Sequence, residues 1–294
     1  MGKILDKLKS GKVLVSDGAW GTFLQAKGLK PGECPESWNL LHPEEVLDIA
    51  KRYIEAGADI VETNSFGGNR LKLLHYGLDH QTTEINQRAA ELSRKAAGKE
   101  KIVIGSVGPT GKILMTGEVT EEELYEAFKE QSIALAKGGV DAIVVETMSD
   151  LDEARIAVNA ARENTACEII CTMTFEKTMT GEYRTMMGVT PAEMVHTLKK
   201  TGLDIIGANC GNGIEGMTFI VKEIRLSDKD IPVLIHANAG MPVYHEGKTV
   251  FPETPEQMAA FVPSLVKAGA NIIGGCCGTT PQHILRISET IKNL

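Results

Sequence analysis

Short β-branched runs alternate with amphipathic helical stretches from one end of this chain to the other, and no other feature limits its fold so severely. The runs are KVLVSD (12–17), DIVETN (59–64), KIVIGSVG (101–108), DAIVVET (141–147), EIICTMTF (168–175), DIIGANC (204–210), PVLIHAN (232–238) and NIIGGCC (271–277). Between them lie helical stretches, several announced by a cap or a first-turn proline: HPEEVLDIAKRYIEAG, TEEELYEAFKEQSIALAKGG, SDLDEARIAVNAAREN, TPAEMVHTLKKTG, TPEQMAAFVPSLVKAG and TPQHILRISETIKNL. Thr or Ser ahead of a proline or an acid offers its hydroxyl to the unpaired N–H groups of the first turn, and a trailing glycine supplies the left-handed stop. Eight strand–helix units in 294 residues match a closed (β/α)8 barrel in count and length. An open doubly wound sheet usually has fewer strands. The expected architecture is therefore α/β, a single TIM-type barrel over residues 1–294 with no linker. Two insertions, 18–42 and 64–83, each begin at the C-terminal end of a strand, the face on which such a barrel builds its site.

Composition narrows the function. A net charge of -8 argues against a surface that tracks nucleic-acid phosphates, which needs clustered Lys and Arg. No stretch approaches the roughly 20 apolar residues that span a bilayer, and MGKILDKLKS lacks the apolar core of a signal peptide. These readings place the chain in the cytoplasm, away from membranes. Six cysteines in such a chain are expected to be free, catalytic or metal-bound rather than paired in disulfides.

Polar and soft residues gather at the C-terminal ends of the expected strands: Asp17-Gly18-Ala19, Glu62-Thr63-Asn64, Glu146-Thr147, Asn209-Cys210, Asn238-Ala239-Gly240 and Gly275-Cys276-Cys277-Gly278. Closing the barrel brings Cys210 towards Cys276 and Cys277. Three thiolates suit Zn²⁺, with a fourth position left open where the metal is catalytic. Side chains on a regular strand alternate, so adjacent cysteines serve one ion only where the strand breaks, and Gly274, Gly275 and Gly278 permit that break. Redox or packing roles fit the same three residues, and a closed structural zinc would need His236 or His283 as a fourth ligand. Cys34, Cys167 and Cys171 read as core or surface fillers. Asp17 and Glu146 end strands on the same face; Asp17 suits a turn cap equally well. Backbone N–H groups of Gly18 and Ala19 form a candidate anion nest, and Asn238 is a further candidate substrate contact. Carboxylates for an ammonium group, amides for a carboxylate and a metal for a thiol together describe an amino acid thiol.

The stretches SDGAWGT, ETNSFGGNRLKL, GSVGPTG, VVETMSDLDEA, GANC, NAGMP and GGCCGTTP resemble, in order and spacing, the homocysteine S-methyltransferase family, in its cobalamin-dependent methionine synthase branch, from about Val13 to Ile284. The resemblance implies a zinc barrel that binds homocysteine and makes methionine. It implies Cys210, Cys276 and Cys277 as zinc ligands that act in catalysis, Asp17 and Glu146 as holders of the substrate amino group, with Glu146 also able to relay a proton, and Gly18 and Ala19 as donors to its carboxylate. Trp20 and the Gly211-Asn212-Gly213 turn depart from the family pattern beside the site. A barrel of this size uses the whole chain, and no Asp-x-His-x-x-Gly stretch of the corrinoid-ligating kind occurs in it. A methylcobalamin-carrying partner protein is accordingly the expected methyl donor. The alternatives are S-methylmethionine, with betaine behind it, or a non-catalytic homocysteine- or zinc-binding module; the chain also reads as a module of a longer enzyme.

Overall fold

A computed structural model describes residues 2–245 and 248–294. Eight parallel strands, β1 (Leu14–Val15), β2 (Ile60–Glu62), β3 (Ile102–Val107), β4 (Ala142–Met148), β5 (Glu168–Met173), β6 (Ile205–Gly213), β7 (Val233–Asn238) and β8 (Ile272–Gly275), form one sheet in the order β1-β8-β7-β6-β5-β4-β3-β2. Helices follow them in turn: α1 (Pro43–Glu55), α2 (Thr82–Ala97), α3 (Glu121–Lys137), α4 (Leu151–Asn164), α5 (Pro191–Leu198), α6 (Ile214–Ser227), α7 (Pro255–Ala268) and α8 (Pro281–Lys292). The molecule is a TIM-type (β/α)8 barrel, as its sequence pattern requires. All eight expected strands are present, with shifted ends. The first expected run supplies only Leu14–Val15, and the sixth continues past Cys210 to Gly213. Antiparallel ribbons pairing Glu176–Lys177 with Tyr183–Arg184, and Val243–His245 with Lys248–Val250, are additions the sequence pattern did not disclose.

Strand parity sets out the barrel interior. Leu14, Ile60, Ile102, Ile104, Ala142, Val144, Ile170, Ile205, Leu234 and Ile272 form one buried cluster, while Val61, Val103, Ile143, Ile169, Ile206, Val233, Ile235 and Ile273 belong to the larger core against the helices. Continuing the inward parity towards the C-terminal ends reaches Ser16, Glu62, Ser106, Glu146, Thr172, Asn209, His236 and Cys276. The barrel is apolar at its base and polar at its mouth. A short N-terminal helix (Lys3–Leu8) closes the base: Ile4, Leu5 and Leu8 pack on the inner cluster, and the Ile4 and Leu5 N–H groups both donate to the Glu168 carboxylate at 2.8 Å.

A repeat closes the barrel where β1 is too short to do so. Asp59, Asp141, Asp204 and Asn271 each stand one residue before an even-numbered strand and two after a left-handed glycine, Gly57, Gly139, Gly202 and Gly269. Each donates its own N–H to a residue of the neighbouring strand and accepts that residue's N–H on its side chain. The four partners are Val15, Val103, Ile169 and Val233. At the β1–β2 seam this exchange joins Asp59 to Val15, and the Glu62 N–H donates to the Asp17 carboxylate at 2.8 Å.

Candidate active site and metal centre

Cys210, Cys276 and Cys277 meet at the barrel mouth by three different backbone devices. Cys276 lies one residue beyond β8 on its inward parity, its N–H bonded to the Ala237 carbonyl at 2.7 Å. Cys277 is turned by a β-turn in which Thr279 N–H donates to Cys276 C=O, with Gly278 at φ 79° in the position that favours glycine. Cys210 would face the helices on a regular strand. It faces the mouth because β6 bulges between Asn209 and Gly213 and Cys210 adopts φ 55°. Among the described residues only Thr147 (φ 61°) shares this conformation outside glycine, and it sits on the matching irregularity of β4, directly after Glu146. Such conformations cost about 1–3 kcal/mol each and persist only where the surroundings enforce them.

The fully buried Asn209 amide holds Thr147 in this conformation. Its Oδ1 accepts from the Thr147 N–H (2.8 Å) and the Thr172 hydroxyl (2.7 Å), and its Nδ2 donates to Thr147 Oγ1 (2.7 Å) with Cys276 Sγ at 4.0 Å. Cys210 Sγ lies 2.7 Å from Cys276 Sγ and 3.7 Å from Cys277 Sγ, so the three sulfurs form a group able to hold a metal ion. Hydrogen bonds from Cys210 and Cys276 draw the Cys277 thiol down to about 3, while Cys276, bonded to both neighbours, rises well above the ordinary thiol range. Neither histidine joins this group. His283 caps α8 through Thr280 and meets the Glu253 carbonyl at 3.0 Å, and His236 pairs with Glu62. Cys34 and Cys171 are buried, and burial pushes Cys34 up to about 12 and raises Cys171 as well.

A cavity of about 330 Å³ opens beside the sulfurs, lined by Gly18, Ala19, Trp20, Glu36, Glu62, Phe66, Ser106, Glu146, His236 and the three cysteines. That volume lies at the small end of ligand sites. Asp17 stands beneath it, fully buried, with Oδ2 accepting from Trp20 Nε1 (2.9 Å) and the Glu62 N–H (2.8 Å). Neither donor is a backbone N–H of the turn that follows, so Asp17 ties Trp20 and β2 together rather than capping a turn, and it lies just outside the cavity lining that Trp20 and Glu62 help to form. Glu146 accepts from the Ser106 hydroxyl. Burial raises Asp17 and Glu146 each to about 7 and lifts Glu62 well above the carboxylate range, the charges of Glu146 and Asp17 adding to the shift of Glu62; burial also lowers His236 to about 4. The Ala19 N–H donates to Thr279 Oγ1 (3.0 Å), whose hydroxyl donates to Cys276 C=O (2.7 Å), so this threonine ties the Gly18-Ala19 turn to the sulfur loop. Tyr53 holds the same turn through the Ala19 carbonyl at 2.7 Å. Asn238 ends β7 with a buried, unpartnered Oδ1, outside the cavity lining. Sequence reasoning did not assign Ser106 and Thr279 to the site, placed Glu62 and Asn209 on its rim without a role, and offered His236 only as a fourth zinc ligand; inward strand parity was the signal for all of these but Thr279.

The homocysteine S-methyltransferase family model matches residues 14–291. The chain belongs to the homocysteine S-methyltransferase family. Two family relatives named methionine synthase are each 31% identical: that of Mycobacterium tuberculosis over 99% of this chain and 25% of its own length, and that of Mycobacterium leprae over 95% and 24%. The chain spans about a quarter of the length of these relatives. Its fold matches the metallated form of the Escherichia coli homocysteine methyltransferase MmuM with a TM-score of 0.80 at 23% identity, covering 97% of this chain and 98% of that one. Among the described residues of this family member, no helix is long and apolar enough to cross a membrane.

Proposed function

We propose that residues 1–294 act as one zinc-dependent barrel that transfers a methyl group to the thiol of homocysteine, giving methionine. The observation that carries this reading is the juxtaposition of three convergent cysteine sulfurs with a small cavity walled by buried acids. The donor set fits zinc by its chemistry, three soft sulfurs with no fourth protein ligand in the group among the described residues; the Cys210–Cys277 separation of 3.7 Å suits it, and Cys210–Cys276 at 2.7 Å would open by about 1 Å on binding. A tetrahedral site with zinc–sulfur bonds of about 2.3 Å has edges of about 3.8 Å. Cys210, Cys276 and Cys277 would hold the ion, which supplies a Lewis acid that favours loss of the substrate thiol proton at neutral pH.

The remaining roles fall to the chain itself. Glu146, steadied by Ser106, and Asp17 Oδ1 would take the substrate ammonium group, and Glu146, raised to about 7, would relay a proton. Gly18 is the turn amide offered to the carboxylate, since the Ala19 N–H is engaged by Thr279. Trp20 covers the cavity and fixes Asp17. The substrate sulfur, its proton lost, would then form a bond to the methyl carbon in line with the donor–methyl bond, which breaks as the donor fragment leaves with the electron pair. A methylcobalamin-bearing partner protein is the favoured donor, in keeping with the relatives named methionine synthase. The end-to-end match to the compact MmuM barrel supports a second reading, a free sulfonium donor such as S-methylmethionine. A donor panel decides between them: zinc-loaded protein with homocysteine and methylcobalamin, S-methylmethionine, betaine or methyltetrahydrofolate, assayed for methionine. Turnover with methylcobalamin supports the first reading and turnover with S-methylmethionine the second. Specific homocysteine binding with no turnover from any donor supports a non-catalytic module.

A further inference from the structure

We infer that Glu62, backed by His236, is the third acceptor of the substrate ammonium group, completing a three-carboxyl cradle with Asp17 and Glu146. The inference rests on the homocysteine reading above. Glu62 is 8% exposed, its Oε1 is buried without a hydrogen-bond partner, and the residue lines the cavity. His236 is 2% exposed and leaves Nε2 unpartnered while its Nδ1 lies 3.5 Å from Glu62 Oε1. Buried polar atoms are rarely left unsatisfied, and one facing a ligand cavity is accounted for when the ligand brings the missing donor.

The backbone holds Glu62 rigidly for this role. Its N–H donates to Asp17 Oδ2 at 2.8 Å and its carbonyl accepts from Ser93 Oγ at 2.8 Å, so the end of β2 is fixed on both sides. An ammonium group carries three donors. Acceptors about 2.8 Å from its nitrogen, at tetrahedral angles, lie about 4.6 Å apart. An oxygen of Glu62, an oxygen of Glu146 and a ring nitrogen of His236 all fall within 4.8 Å of one another. Asp17, just outside the cavity lining, has Oδ2 taken by Trp20 and Glu62 and Oδ1 met by Ser16 Oγ at 3.4 Å, and Glu146 keeps the oxygen that Ser106 does not use. Each acid thus has one oxygen to offer. The same three residues could hold a metal ion instead, and a count of zinc per chain separates the two occupants.

The test is a ligand-truncation cycle by calorimetry on zinc-loaded protein, comparing homocysteine with 4-mercaptobutanoate, which lacks only the amino group. Wild type should prefer homocysteine. Glu62→Leu should shrink that preference at least about tenfold, the worth of one charged hydrogen bond, while 4-mercaptobutanoate binds as before. Glu62→Gln, which keeps the shape and one oxygen, should shrink it by less, at least about threefold, and carries the test should the leucine variant not fold. An unchanged preference in the folded variants overturns the assignment of Glu62. Two zinc ions per chain, with one lost on Glu62→Leu, would overturn it in favour of a second metal site. Failure of wild type to bind homocysteine would instead contradict the reading of function on which the inference depends.

Discussion

Asp17 and Glu146 carry the clearest consequence at the scale of single residues. Both ionise near pH 4 in an unfolded chain, and burial raises both to about 7 in the folded one. Between those values the folded chain binds more protons, so the stability they contribute is present below about pH 4 and lost as the pH rises through 7. Thermal melting of the metal-free, substrate-free protein should therefore show a decline from pH 5 to pH 8, and Asp17→Asn with Glu146→Gln should flatten it. Homocysteine, by bringing a cation to these acids, should raise the melting temperature more at pH 8 than at pH 5. The cysteines divide by place in the same way. Cys276→Ser should remove most of the bound metal, measured as zinc per chain, whereas Cys171→Ala, inside the main core, should keep one metal per chain and lose about 1 kcal/mol in denaturant unfolding. Which cysteines converge was legible from their positions at strand ends. The φ of 55° that turns Cys210 inward was not, because a bulge depends on the partner strand and leaves no mark in residue spacing.

At the scale of elements, the helices that declare themselves in sequence are those with a chemical start signal. Capping boxes open α3, α5 and α7 at Thr120, Thr190 and Thr254, and Asp150 caps α4. Helices α2 and α6 begin at Gln81 and Gly213 without a side-chain cap and carry no first-turn proline, so only their packing reveals them. The Asp59, Asp141, Asp204 and Asn271 repeat was visible as Gly-x-Asp/Asn before each even strand, yet its purpose appears only when each side chain is seen bonding the strand beside it. Glu62 and His236 were legible by alternation from Ile60 and Leu234, but short, wholly buried strands give no polar face against which to count. Asn209 binds two elements into one site by joining the irregular ends of β4 and β6. Asn209→Ala should weaken zinc at least about tenfold in chelator competition, as loss of a supporting partner commonly does, and should weaken homocysteine binding in the same protein because Thr147 follows Glu146. Loss of thermal stability with both affinities intact would reduce Asn209 to packing.

The whole molecule separates support from chemistry along the barrel axis. The N-terminal helix and Glu168 seal an apolar base, isoleucine, leucine and valine fill the middle, and acids, a histidine and three thiols occupy the mouth. This division follows from fold and parity together: once eight strands run parallel, their C-terminal residues must share one rim, and the sequence places its reactive side chains there. The methionine synthase relatives are about four times as long, so a stretch similar to this chain also occurs within larger proteins. The central claim is that the cysteine site keeps one position for the thiol of homocysteine. X-ray absorption at the zinc edge, with and without homocysteine, tests it most directly. Three sulfur ligands and one lighter atom should become four sulfurs on adding homocysteine, and a sphere already filled by four protein ligands and unchanged by the substrate would contradict the account.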